Sequence, residues 1–254
     1  MRKLAVSALF ALALAAVAAV PASATHSWNG YHWARTANPF TIQLGDNLSS
    51  SWDPYLATTS ADWSKSTVLD TTVVPGLSRN KRCRATAGRV EVCNGSYGNN
   101  GWLGVAQIWL ASGTKHITQG TVKVNDTYFS LPAYDNSSER EHVLCQEVGH
   151  TFGLDHQSTD GSSLNTCMDY YRNTSSSDTK SIHPNQHDYD ELATIYAHLD
   201  STSTVGAAAG SLPDAVPSWA PATQRAQSVY VDHLANGDEL VTFVLWANPI
   251  HSAL

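Results

Sequence analysis

The stretch Cys145-Gln-Glu-Val-Gly-His-Thr-Phe-Gly-Leu-Asp-His156 decides how the rest of the chain is read. Just upstream, Ser137-Ser138-Glu139-Arg140-Glu141 has the composition of a capped helix start. The spacing predicts a helix to about Phe152 that stops at Gly153, a residue suited to the left-handed conformation after a last turn. On that helix Gln146 and His150 lie one turn apart on the same face, with Glu147 beside it. Once the chain turns at Gly153, His156 can approach His150. The pattern gathers two imidazoles, an amide oxygen and a carboxylate around one point. Such a set suits a zinc ion with an open position and a carboxylate that takes a proton from its water.

The same stretch resembles the metzincin metalloprotease signature H-E-x-x-H-x-x-G-x-x-H. Glu147, His150, Gly153 and His156 match it, and Gln146 stands where the first His is expected. With this chain's composition the spacing of those four matches arises by chance roughly once in a thousand such chains. Downstream, Cys167-Met168-Asp169-Tyr170 resembles the family's Met-turn, with Tyr170 two residues after Met168. From about Tyr31 to Asp200 the chain looks most like a secreted, matrixin-like bacterial relative. The resemblance implies an α+β fold: a twisted, mixed five-stranded sheet with an active-site helix, a Met-turn and a C-terminal helix. It implies one catalytic Zn2+ held by His150, His156 and Gln146. Glu147 would activate the water that hydrolyses a peptide bond, and Tyr170 would assist at the transition state. Met168 would form an apolar floor under the imidazoles, and the substrates would be proteins or peptides.

Gln146 leaves alternatives open. An amide oxygen is neutral and harder than an imidazole nitrogen, and suits Ca2+ or Mg2+ better than Zn2+. Gln146 ligates through that oxygen, or another residue replaces it, or the site is degenerate and the protein is a non-catalytic secreted binding or envelope protein. His142 is no substitute, because it lies two turns, roughly 12 Å, from His150. Cys145 is turned about 140° away from His150 and points into the body of the domain, where it can meet Cys167 beside the Met-turn.

Working outward, Phe40–Leu44, Val68–Val74, Arg89–Cys93, Gly104–Leu110 and Ile117–Val124 read as strands, separated by Pro-Gly and Asn-Gly turn signals. Ser51–Ser66 and Asn185–Leu199 carry helical spacing, and residues 157–181 read as a long polar loop. Residues 1–24 read as a signal peptide: Arg2 and Lys3, an Ala/Leu-rich run, then an A-x-A site ending at Ala24. The domain of interest is then 25–200. Residues 201–227, rich in Ser, Ala, Gly and Pro, read as a linker. Residues 228–254 form a tail whose Tyr230–Trp246 segment reads as a β-hairpin around Asn236-Gly237, to be packed on the main domain or a partner.

The formal charge of -7 excludes a dense basic face and with it nucleic acid as the main partner. No run after the signal is long and apolar enough to span a bilayer, and the chain reads as a monomer. Four cysteines in a secreted chain suggest two disulfides. Three pairings exist, of which Cys83–Cys93 with Cys145–Cys167 is favoured over a four-thiolate zinc site, since no C-x-x-C pair is present. Asp126 and Asp160 are weaker candidates for Ca2+, without D-x-D-x-D-G spacing. His116, His183, His187 and His198 read as surface or capping residues.

Overall fold

The structure is a computed structural model and describes residues 25–78, 82–206 and 228–247. The proposed signal segment, 207–227 of the proposed linker and the last residues of the tail lie outside these. In chain order the elements are β1 (His32–Trp33), β2 (Phe40–Asn47), α1 (Asp53–Trp63), β3 (Leu69–Pro75), β4 (Val90–Gly95), β5 (Trp102–Leu110), β6 (His116–Asn125), α2 (Asp126–Phe129), α3 (Ser137–His150), α4 (Gln186–Ile195), β7 (Val229–His233) and β8 (Glu239–Trp246).

The strands form one mixed sheet in the order β3-β2-β4-β6-β5-β8-β7, with β1 paired to the start of β6. The pairs β2–β3, β2–β4, β4–β6 and β1–β6 are parallel. The pairs β5–β6, β5–β8 and β7–β8 are antiparallel. All five expected strands are present, but the sheet has eight strands, not five. The physical reason lies in β5. Trp102-Leu-Gly-Val-Ala-Gln-Ile-Trp-Leu110 is buried at every position, and a strand with no solvent-facing side reads as a continuous apolar run that needs cover on both faces and pairing on both edges. β6 takes one edge and β8 takes the other, so the C-terminal hairpin completes the main sheet. β1 is only two residues long and carries no periodicity to read.

The helices pack on the sheet through Trp33, Trp52, Trp63, Phe152 and Tyr196, all essentially inaccessible to solvent. Each indole finds an acceptor: Trp33 Nε1 donates to the Thr151 carbonyl (2.9 Å), Trp63 Nε1 to that of Cys145 (3.1 Å) and Trp52 Nε1 to Asp126 (2.9 Å). α3 starts one residue earlier than its Ser/Glu pattern suggests, because Asn136 supplies the cap and accepts from the Glu139 amide at 2.9 Å. α4 opens with a capping box formed by Asn185 and Asp188. Disulfides join Cys83 to Cys93 and Cys145 to Cys167. The second ties α3 to the turn Cys167–Tyr170.

The calcium reading of Asp126 and Asp160 finds no support. Asp126 spends its carboxylate on Trp52 and on the Asn94 amide (2.6 Å), and Asp160 accepts from Ser158, from the Ser162 hydroxyl and from the Ser162 backbone N–H. Both carboxylates are engaged by donors of the chain itself, and among the described residues neither lies in a group of three His, Cys, Asp or Glu ligand atoms close enough to share an ion.

Candidate active site

The last turn of α3 and the loop after it bring two imidazoles together. Gly153 adopts φ 94°, and any Cβ there would collide with the Tyr31 carbonyl oxygen. Only glycine allows the chain to reverse this closely against the N-terminal segment. After the reversal, His156 is held by backbone bonds on its far side: the Gln157 amide donates to the Met168 carbonyl (2.6 Å), and the Tyr170 amide to the Ser158 carbonyl (3.1 Å). His150 Nε2 and His156 Nε2 end 3.0 Å apart, with the rings near perpendicular.

The outer nitrogens both face oxygens. His150 Nδ1 lies 2.8 Å from the Leu154 carbonyl oxygen, and His156 Nδ1 lies 3.2 Å from an Asp155 carboxylate oxygen. The Leu154 oxygen can only accept, so His150 Nδ1 carries the proton and its Nε2 a lone pair. With the His156 proton also on Nδ1, beside Asp155, two Nε2 lone pairs face each other. Burial lowers the His150 pKa well below the usual imidazole range, and neighbouring His156 adds to this, so the ring stays neutral. Two facing lone pairs at this distance repel unless a cation lies between or beside them.

Two more residues of the motif carry buried polar atoms. Gln146 donates from Nε2 to the Asp169 carbonyl (2.9 Å), and its Oε1 is buried with no hydrogen-bond partner. Glu147 is fully buried, and its carboxylate lies against Gly104 of β5, where a Cβ would come within 2.6 Å of Oε1. Burial pushes the Glu147 pKa well above the carboxylate range, opposed by the Ala106 backbone N–H. Tyr170 stacks edge-on against His156, with centroids 4.3 Å apart. Burial raises its hydroxyl pKa, and the Glu147 charge raises it further. An orphaned amide oxygen and two imidazole lone pairs fit a borderline transition-metal ion such as zinc. His142 bonds the Asp169 carbonyl (3.0 Å) instead of facing His150.

Met168 is fully buried and underlies α3: a Cβ on Gly149 would lie 2.6 Å from its sulfur. Above the imidazoles lies the C-terminal hairpin. Register places Phe243 of β8 opposite Ala106 of β5. The Phe243 ring stacks on His150, with centroids 4.4 Å apart and a 6° interplanar angle. Nothing in the sequence signals this contact, because a hairpin pattern does not name the strand it will pair with.

A second titratable cluster lies elsewhere. Among the described residues, the one group of three His, Cys, Asp or Glu ligand atoms within 4.8 Å of one another is His32, His116 and Asp200. Sequence reading missed it; the one local hint is the His198-Leu-Asp200 pattern just after α4.

No family model and no curated protein matches this sequence. Among solved structures, the chain is similar to myroilysin at 12% identity, with a TM-score of 0.37, over 68% of this chain and 98% of that one. It is also similar to high choriolytic enzyme 1, a hatching enzyme zinc-protease from Oryzias latipes (Medaka fish), at 10% identity, with a TM-score of 0.36, over 66% of this chain and 96% of that one.

Proposed function

We propose that this protein is a secreted, zinc-dependent metalloendopeptidase of metzincin type. The observation that carries the reading is the convergence of the Nε2 atoms of His150 and His156, 3.0 Å apart, each ring with an oxygen behind its Nδ1. His150, His156 and Gln146 Oε1 would hold the metal. Bound zinc would supply Lewis acidity toward water and toward a peptide carbonyl. The chain does the rest. Glu147 accepts a proton from the attacking water at a carboxylate oxygen and returns it to the leaving amide nitrogen. Its dry setting raises its basicity. Tyr170 donates a hydrogen bond from its hydroxyl to the oxygen that gains charge. Secretion is supported by the signal-like residues 1–24 and by two disulfides, which persist in oxidising compartments. No helix among the described residues is long and apolar enough to cross a membrane.

The other reading, a non-catalytic binding protein on a degenerate site, is favoured by Gln146 in a ligand position. One comparison separates the two. Wild-type protein, Glu147→Gln and His150→Gln are assayed for zinc content and for chelator-sensitive cleavage of an unfolded polypeptide. The peptidase reading expects His150→Gln to lose a zinc ion and Glu147→Gln to keep it while losing about a hundredfold or more in cleavage rate. Equal cleavage by Glu147→Gln, or equal zinc in His150→Gln, supports the non-catalytic reading.

A further inference from the structure

The cluster around His32 has the form of a second metal site. His32 comes from β1, His116 opens β6, and His198 and Asp200 follow α4. Asp200 Oδ1 lies 3.2 Å from His116 Nε2, 3.6 Å from His32 Nε2 and 3.7 Å from His198 Nε2. His198 Nε2 lies 3.2 Å from His32 Nε2. Ligand atoms about 2.0–2.1 Å from a tetrahedral zinc are roughly 3.4 Å apart; the Asp200 separations to His116 and His32 bracket that value, and the three ligand atoms lie within 4.8 Å of one another, a group that His198 approaches without joining. The rings meet edge to face, His32 with His116 at 75° and with His198 at 88°, so their nitrogens converge without stacking.

The supporting bonds leave the inward atoms available. His32 Nδ1 lies 2.7 Å from the Gly30 carbonyl oxygen and must donate to it, which leaves Nε2 as a lone pair. Asp200 Oδ2 is occupied by the Arg35 guanidinium (2.9 Å) and the Arg35 amide (3.2 Å), and Oδ1 is turned to the imidazoles. A lone pair on His32 and a carboxylate oxygen face each other, and this juxtaposition attracts a cation. The His198 side chain is 52% exposed, which gives an ion a way in. Two imidazole nitrogens and one carboxylate oxygen suit zinc far better than calcium or magnesium.

We infer that His32 Nε2, His116 Nε2 and Asp200 Oδ1 form a three-ligand zinc site, with its open position toward His198 and solvent, that fastens the N-terminal segment, the sheet and the stretch after α4 to one another. The site shares no residue with the His150–His156 pair and stands whether or not the chain is a peptidase.

The test uses the full chain, stripped with a chelator, reloaded with Zn2+ alone, dialysed and analysed for zinc per chain. The comparison is wild type against His116→Gln/His198→Gln, both at partly exposed positions. The proposal expects the double variant to hold one zinc ion fewer per chain, whatever the His150–His156 site holds. Equal zinc in the two proteins overturns it and leaves a hydrogen-bonded His/Asp cluster. If the double variant does not fold, His116→Gln alone is titrated against a competing chelator. Losing a direct ligand should weaken retention of that ion by more than the roughly tenfold expected for a partner one step removed from it. Unchanged retention overturns the proposal equally.

Discussion

In the proposed site, the identity of one donor atom, at Gln146, would set how firmly a metal is gripped. Its Nε2 is committed to the Asp169 carbonyl, so only Oε1 is free to ligate. A neutral amide oxygen is a poorer zinc donor than an imidazole nitrogen. Gln146→His should therefore slow zinc loss to a competing chelator by about tenfold or more; faster loss would remove Gln146 from the metal. Three residues on, Gly149 is a steric matter. A methyl group there would lie 2.6 Å from Met168 Sδ and 2.6 Å from Trp63 Cζ2, both in the core. Gly149→Ala should cost about 1–3 kcal/mol of stability through overpacking, read as a lower urea midpoint. An unchanged midpoint would mean that Met168 yields freely and is no rigid floor. The motif residues were legible as residues because their chemistry is local to one helix turn and one reversal. The His32 cluster was not, because its ligands come from three distant parts of the chain and each alone resembles an ordinary surface histidine.

The elements carry their own predictions. In the first turn of α3, Glu139 is buried, and its carboxyl pKa is pushed up to about 7, chiefly by desolvation, against the Asn173 amide bond and Arg172. A carboxyl with a raised folded-state value binds more protons folded than unfolded, so its stabilising effect is full below about pH 4.5 and is lost as pH rises through about 7. Glu139→Gln lacks that loss. It should match wild type near pH 4.5 and exceed it at pH 8 by an amount on the order of 3 kcal/mol, measured by urea unfolding at both pH values. A difference that does not change with pH would mean that Glu139 titrates normally. The Cys145–Cys167 bond, with its separation of 22 residues, should contribute about 3 kcal/mol by restricting the unfolded chain. Cys145→Ala/Cys167→Ala should lower the midpoint accordingly; no change would show that the turn is held by its hydrogen bonds alone. At this scale the sequence was most readable where local signals repeat: caps, Gly stops, apolar runs and the Asn236-Gly237 turn. It was silent on β1, too short for a period, and on which edge the hairpin would join, a matter of long-range burial around β5.

In the whole molecule, the hairpin and the candidate site are coupled. β8 occupies the free edge of β5, the strand that lies against Glu147, and Phe243 covers one face of His150. An extended peptide adds to a sheet through an unpaired edge, and here that edge is taken by the chain itself. His150, Gln146 and Glu147 are accordingly closed to solvent. If the site cleaves peptides, the hairpin should restrict access to it, and the intact chain should cleave more slowly than one whose hairpin has been severed. A protease recognition site inserted between Gly206 and Ser228 allows the hairpin to be severed in the folded protein. Cutting should raise the initial rate on an unfolded substrate severalfold, with Glu147→Gln as the silent control. The cut edge should also lower the unfolding midpoint, because β5 loses a neighbour along nearly its whole length. Cleavage equal before and after cutting would show that substrate reaches the site past Phe243 and that the hairpin serves the sheet alone. A midpoint that drops with no gain in rate would place Phe243 and β8 among the parts the active conformation needs.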